Sequence, residues 1–121
     1  MSKKVLAVDD SQTMREMVAF ALRQAGYDVL LAEDGQKALG VLGSSPVDCV
    51  ITDLNMPQMD GIGLIQALRA HPTHRGTPIL MLTTESDDQK KQAGKAAGAT
   101  GWLVKPFNPE KLLDVVRRVS G

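Results

Sequence analysis

An α/β domain, a parallel sheet with helices on both faces, is what this sequence predicts, on three observations. Short apolar runs alternate about five times with helix-like segments, the pattern of repeated strand–helix units. The runs are apolar at nearly every position, as in parallel strands buried on both faces. Each of four runs ends in a chemically active side chain. Val5–Val8 is followed by Asp9-Asp10, Val50–Thr52 by Asp53, Ile79–Leu82 by Thr83, and Trp102–Val104 by Lys105-Pro106.

The elements follow in order. After the first run, Met14, Met17, Val18, Ala21, Leu22 and Ala25 recur at helical spacing, and Gly26 supplies a stop. Tyr27 to Ala32 reads as the second strand. Asp34 caps a helix that carries Ala38, Leu39 and Leu42. The strand ending at Asp53 comes next. A helix after Asp60-Gly61 carries Ile62, Ile65 and Leu68, and His71-Pro72 ends it. The fourth helix, about Asp87 to Ala97, is the weakest. Ser86 and Gln89 could form a capping box. Its apolar stripe is only Ala93, Ala96 and Ala97, and Gly94 interrupts it at a cost of about 0.5–1 kcal/mol relative to Ala. The last helix opens with Asn108-Pro109, a cap and a proline at the first helical position. It is expected to bury Leu112, Leu113, Val116 and Val119.

The bulk properties narrow the function. A chain of 121 residues suits one domain with a real core, and residues 1–121 are read as a single domain. The formal net charge is zero, which speaks against general nucleic-acid or anionic-membrane binding. No apolar run approaches the roughly 20 residues needed to span a bilayer. The basic start at Lys3-Lys4 is followed by too few apolar residues for a signal-peptide core. The single cysteine, Cys49, lies in an apolar run and reads as a small buried hydrophobe. A reducing cytoplasm is the expected compartment.

The strand ends carry the chemistry. In an open α/β sheet, ligands bind beyond the carboxyl ends of the strands. Three carboxylates, one hydroxyl and one ammonium would therefore meet at one edge. The carboxylates of Asp9, Asp10 and Asp53 would repel one another unless a cation intervened. Magnesium fits, because it binds through one or two carboxylates and waters and leaves room for phosphate oxygens. A carboxylate facing such a metal can accept a phosphoryl group as a nucleophile. The equatorial oxygens of that group would be neutralised by the metal, the Thr83 hydroxyl and the Lys105 ammonium.

Val8-Asp9-Asp10, Asp53-Leu54-Asn55-Met56-Pro57 with Met59-Asp60-Gly61, Thr83 and Lys105-Pro106-Phe107 together resemble the receiver domain of two-component response regulators. The resemblance covers the whole chain and is strongest to the stand-alone regulators of chemotaxis. It implies a doubly wound, flavodoxin-like receiver fold with five helices and strand order 2-1-3-4-5. It implies that Asp53 is phosphorylated by a histidine kinase. It implies that Asp10, Asp53 and the backbone carbonyl of Asn55 bind Mg2+, with Asp9 assisting through water. Thr83 and Lys105 would contact the phosphoryl group, and a cis Lys105–Pro106 bond would aim the lysine. Trp102, three residues before that lysine, would be the rotameric switch. Alone it would read as a core or edge-strand aromatic. The face of the fourth helix, fifth strand and fifth helix would bind the partner, a flagellar motor switch protein or another target. A phosphatase is a further partner, and the protein is expected to be a monomer.

Two positions depart from the family pattern. Trp102 is bulkier than the usual switch aromatic, and Thr84 replaces a smaller residue after the hydroxyl. Asn55 and Glu85 go with fast self-hydrolysis in this family, whereas Thr84 could block the attacking water. The resemblance implies no external substrate. The protein would catalyse only its own phosphorylation and dephosphorylation.

Alternatives stay open at this level. A phosphate sink for a shared kinase would have the same residues. A haloacid-dehalogenase-type phosphatase also uses an aspartate, magnesium, a hydroxyl and a lysine in this order, but it expects its nucleophile after the first strand. Lys90, Lys91 and Lys95 form either a docking patch or a solvated helix face. His71 and His74 flank Pro72, and a metal site there would need further ligands nearby.

Overall fold

The computed structural model describes residues 3–43, 45–54, 60–83, 88–104 and 108–120. The strands are β1 (Lys4–Val8), β2 (Asp28–Ala32), β3 (Cys49–Asp53), β4 (Ile79–Thr83) and β5 (Gly101–Val104). The helices are α1 (Gln12–Gln24), α2 (Gly35–Leu42), α3 (Gly61–Ala70), α4 (Asp88–Ala97) and α5 (Pro109–Ser120). All strand pairs are parallel, in the order β2-β1-β3-β4-β5. The predicted architecture and strand order are those observed.

The period-2 geometry of the strands divides their apolar residues between two cores. Leu6, Val8, Val50, Ile79 and Met81 face the side that holds Ala38 and Leu42 of α2 and Leu64, Ile65 and Leu68 of α3. Val5, Ala7, Cys49, Ile51, Leu80 and Leu82 face the side that holds Val18 and Leu22 of α1 and Leu112 and Val116 of α5. The apolar runs thus have no polar face because both faces are covered. Side-chain caps start four of the helices, those at Asp34 and Asn108 as expected. Asp34 accepts a hydrogen bond from the Lys37 N–H at 2.8 Å, Asp60 from the Gly63 N–H at 2.8 Å, and Asn108 from the Glu110 N–H at 2.8 Å. Ser11 caps α1 by accepting from the Met14 N–H at 3.2 Å. Gly26 takes φ +92° just after α1, a conformation open to glycine at little cost.

Two local expectations are corrected. Met17 and Ala25 are exposed, because α1 meets the sheet through a narrow stripe of Val18, Ala21 and Leu22. Met17 instead lines a groove with Phe20, Pro109 and Leu113, between α1 and α5. In α4, Ala93 and Ala96 are exposed, and Gly94 is the residue buried. A Cβ at Gly94 would lie 1.9 Å from Met81 Sδ, so the missing side chain lets α4 lie against β4. The glycine read as a helix weakness is a packing point of that helix, together with Ala97, which lies against the same core. His74 is fully buried. Its Nε2 lies 3.0 Å from the Gly43 carbonyl oxygen and ties the loop after α3 to the loop after α2.

Candidate functional site

The parallel register brings the chain's acidic groups together. Val8 of β1 is paired with Thr52 of β3, so Asp9 and Asp53 leave neighbouring strands at the same level. Asp9 and Asp53 are buried, and Asp10 is exposed. One carboxylate oxygen from each of the three can be chosen so that all lie within 4.8 Å of one another. For the buried pair, Coulomb repulsion at that spacing and an effective dielectric of 20 is roughly 3–4 kcal/mol. A divalent cation would turn this cost into coordination. The donor set, all hard carboxylate oxygens, has the chemistry of a magnesium site.

Local bonds hold the cluster in place. The Ser11 N–H donates to Asp9 Oδ1 at 2.9 Å. Arg15, on the first turn of α1, donates from its guanidinium to the Asp9 carbonyl oxygen at 2.6 Å. The Leu54 N–H donates to Asp53 Oδ1 at 2.8 Å, and the Thr52 hydroxyl donates to the Asp53 carbonyl oxygen at 2.8 Å. The start of α3 presses on the same point. A Cβ at Gly61 would lie 2.3 Å from the Asp53 carbonyl oxygen. The sequence pattern places Gly61 only at the start of a helix and gives Arg15 no role. The position of Arg15 on the first turn of α1, close after the acidic pair, was the available signal for it.

Thr83 closes β4 and is buried, one residue beyond Leu82, the register partner of Asp53. Its hydroxyl therefore belongs to the same sheet edge. Trp102 lies on the edge strand β5, paired with Met81, and its side chain is 39% exposed. The ammonium groups of Lys91 and Lys95 sit 5.7 and 5.1 Å from its ring centroid. Asn55, Thr84, Glu85 and Lys105 lie outside the described residues, as do the Lys105–Pro106 bond and the capping residue Ser86.

The remaining titratable candidates stand apart from this edge. Burial, aided by the neighbouring Asp48 carboxylate, pushes the Cys49 thiol up to about 12. That thiol is inert packing, as its apolar setting predicted. The His71 and His74 rings are 4.6 Å apart, but the described residues offer only one metal-capable group of three or more ligands, Asp9, Asp10 and Asp53. No helix among the described residues is long and apolar enough to cross a membrane.

Comparison with known proteins adds independent findings. The family model for the response regulator receiver domain matches residues 5–117. The chain is 41% identical over 124 residues to a chemotaxis protein CheY homolog of Campylobacter jejuni, covering 98% of this chain and 95% of that one. It is 39% identical over 123 residues to chemotaxis protein CheY of Pseudomonas aeruginosa, covering 98% and 99%. Among solved structures it resembles the chemotaxis response regulator CheY4 of Vibrio cholerae, with 53% identity, a TM-score of 0.92 and coverage of 98% and 99%. It also resembles the receiver domain of a Pseudomonas aeruginosa sensor histidine kinase, solved with a magnesium ion coordinated in its active-site cleft. Identity there is 27%, the TM-score 0.92 and coverage 100% and 99%.

Proposed function

The chain belongs to the response regulator receiver domains and is closely related to the CheY chemotaxis regulators, and on that footing we propose that it is a phosphorylation-switched signalling module acting on a protein partner. The observation that carries the reading is the meeting of Asp9, Asp10 and Asp53 at one sheet edge, beside Thr83.

Asp53 is the phosphoacceptor. A carboxylate oxygen of Asp53 attacks the phosphorus of a phosphohistidine on a histidine kinase. The new O–P bond forms as the N–P bond breaks, and the imidazole leaves with its electron pair and takes a proton. Asp9, Asp10, Asp53 and the Asn55 carbonyl would hold Mg2+, which when bound supplies positive charge to the carboxylates and to the transferred group. Thr83 donates its hydroxyl to one phosphoryl oxygen, and Lys105 pairs with another. The bonds from Ser11, Arg15 and Leu54 hold the acidic groups in position before the donor arrives. Hydrolysis of the acyl phosphate resets the protein, so its chemistry is limited to its own phosphorylation and dephosphorylation.

The module works in the cytoplasm as a monomeric, single receiver domain, and its target is the flagellar motor switch. A phosphatase assists the reset. The relatives named for chemotaxis support this assignment. A haloacid-dehalogenase phosphatase would carry its nucleophile after β1, whereas Asp53 closes β3.

Labelling by acetyl phosphate tests the acceptor. Asp53→Asn should abolish it, and excess chelator should suppress it in the parent protein. Persistent labelling of the variant would refute the assignment. Retention of a motor switch protein by the beryllofluoride-bound form separates motor binding from a phosphate sink, which would retain none.

A further inference from the structure

The least expected feature outside the acidic edge is the setting of Trp102. Its indole is bracketed by two cations from one helix, Lys91 at 5.7 Å and Lys95 at 5.1 Å from the ring centroid. Both lie within the roughly 6 Å over which an ammonium is attracted to a ring face, and tryptophan is the strongest such partner. Lys91 is only 16% exposed, with the Asp88 carboxylate 3.9 Å from its ammonium. A cation so covered has lost much of its hydration and gains more from the ring than an exposed one. Like charges four residues apart disfavour an isolated helix. The indole offsets that repulsion where the two lysines converge. Asp88, Lys91, Gln92, Lys95 and Trp102 line one shallow depression at this point.

The rest of α4 gives the clamp leverage. Gly94 is the only fully buried residue of this helix, seated on Met81, which is the register partner of Trp102. The helix therefore seats Gly94 against β4, packs Ala97 on the same core, and meets the edge strand through two lysines and one indole.

We propose that Lys91 and Lys95 form a cation–π clamp that holds Trp102 outward in the resting protein and so sets the threshold for switching. The proposal rests on the receiver reading, in which an inward indole accompanies phosphorylation. Turning the ring inward breaks both contacts. Each lysine then biases the outward over the inward population by about two- to fivefold. They are positioning residues, acting on the site through the indole.

The test uses the double variant Lys91→Met/Lys95→Met, which keeps two unbranched stems and removes both charges. Acrylamide, a neutral quencher, reports access to the sole tryptophan without regard to surface charge. The unphosphorylated variant should be quenched less than the parent. Its affinity for beryllofluoride should rise severalfold, toward the product of the two factors. Lys91→Arg/Lys95→Arg should restore parental values, because the cations are kept. In a Trp102→Leu background, the two Lys→Met changes should leave beryllofluoride affinity unchanged. Unchanged or increased quenching overturns the clamp. So does an affinity gain that persists without the indole, which would mean that the lysines act by general charge. Failure of the parent to bind beryllofluoride would sink the receiver reading instead, and the quenching comparison would still decide the clamp.

Discussion

Gly61→Ala should destabilise the protein and loosen the acidic site together. Gly61 is the first residue of α3, and its φ lies outside the left-handed region, so an alanine meets no backbone strain there. Helix propensity alone would favour alanine by about 0.5–1 kcal/mol. Sterics oppose it. The new Cβ would lie 2.3 Å from the Asp53 carbonyl oxygen and 2.8 Å from Leu54 Cα. Reaching even the 3.0 Å limit needs a shift of about 0.7 Å, and backbone atoms cannot rotate away. Overpacking of this kind costs about 1–3 kcal/mol. The 3.1 Å hydrogen bond from the Gly61 N–H to the Leu54 carbonyl is stretched as well, adding about 0.5–1.5 kcal/mol. The net loss should be about 1–3 kcal/mol, a fall in urea midpoint on the order of 1 M. The same displacement moves the base of Asp53, so magnesium affinity should weaken in titrations of the folded variant. Gly40→Ala is the control. Gly40 lies within α2, exposed, with open space where its Cβ would go. That variant should gain about 0.5–1 kcal/mol. A Gly61→Ala protein with parental midpoint and parental magnesium affinity would refute the claim that α3 bears on Asp53.

Alkaline unfolding should report Cys49. Its folded thiol ionises at about 12 against 9.0 for the ordinary group. Its contribution to stability is whole below pH 9 and falls between pH 9 and 12, by about 1.4 kcal/mol per pH unit. Cys49→Ala should be less stable at neutral pH but lack that part of the alkaline slope, and an identical slope would contradict the assignment. Arg69→Ala should cost about 1.5–3 kcal/mol in urea unfolding. Its guanidinium donates to the carbonyls of Gly98 at 2.9 Å, Arg75 at 2.8 Å and Thr77 at 2.6 Å. A neutral effect would mean that water replaces all three bonds.

The class of fold and the acidic site were legible in the chain because both depend on short-range order. A run such as Ile79–Leu82, apolar at every position, states that both faces of its strand are covered. An aspartate at the end of such a run states which edge it occupies. The caps Asp34 and Asn108 act within three residues of themselves and could be read directly. The order of the strands came with the family resemblance, since no local pattern says that β1 lies between β2 and β3. Other features were decided only by which element lies across from which. Helical spacing put Met17 among the core positions, yet the neighbouring α5 leaves a groove there. Gly94 looked like a defect until Met81 stood beneath it, and nothing around Gly61 in the chain showed the Asp53 carbonyl against it. Nothing near His74 in the chain announces that it is buried, because its partner Gly43 is far away in sequence. The same holds for the lysines around Trp102. Periodicity reports that a residue has a buried side. How close the opposing backbone comes, and whether a cation or an apolar surface meets it, depends on atoms distant in sequence, and only the packed structure brings those together.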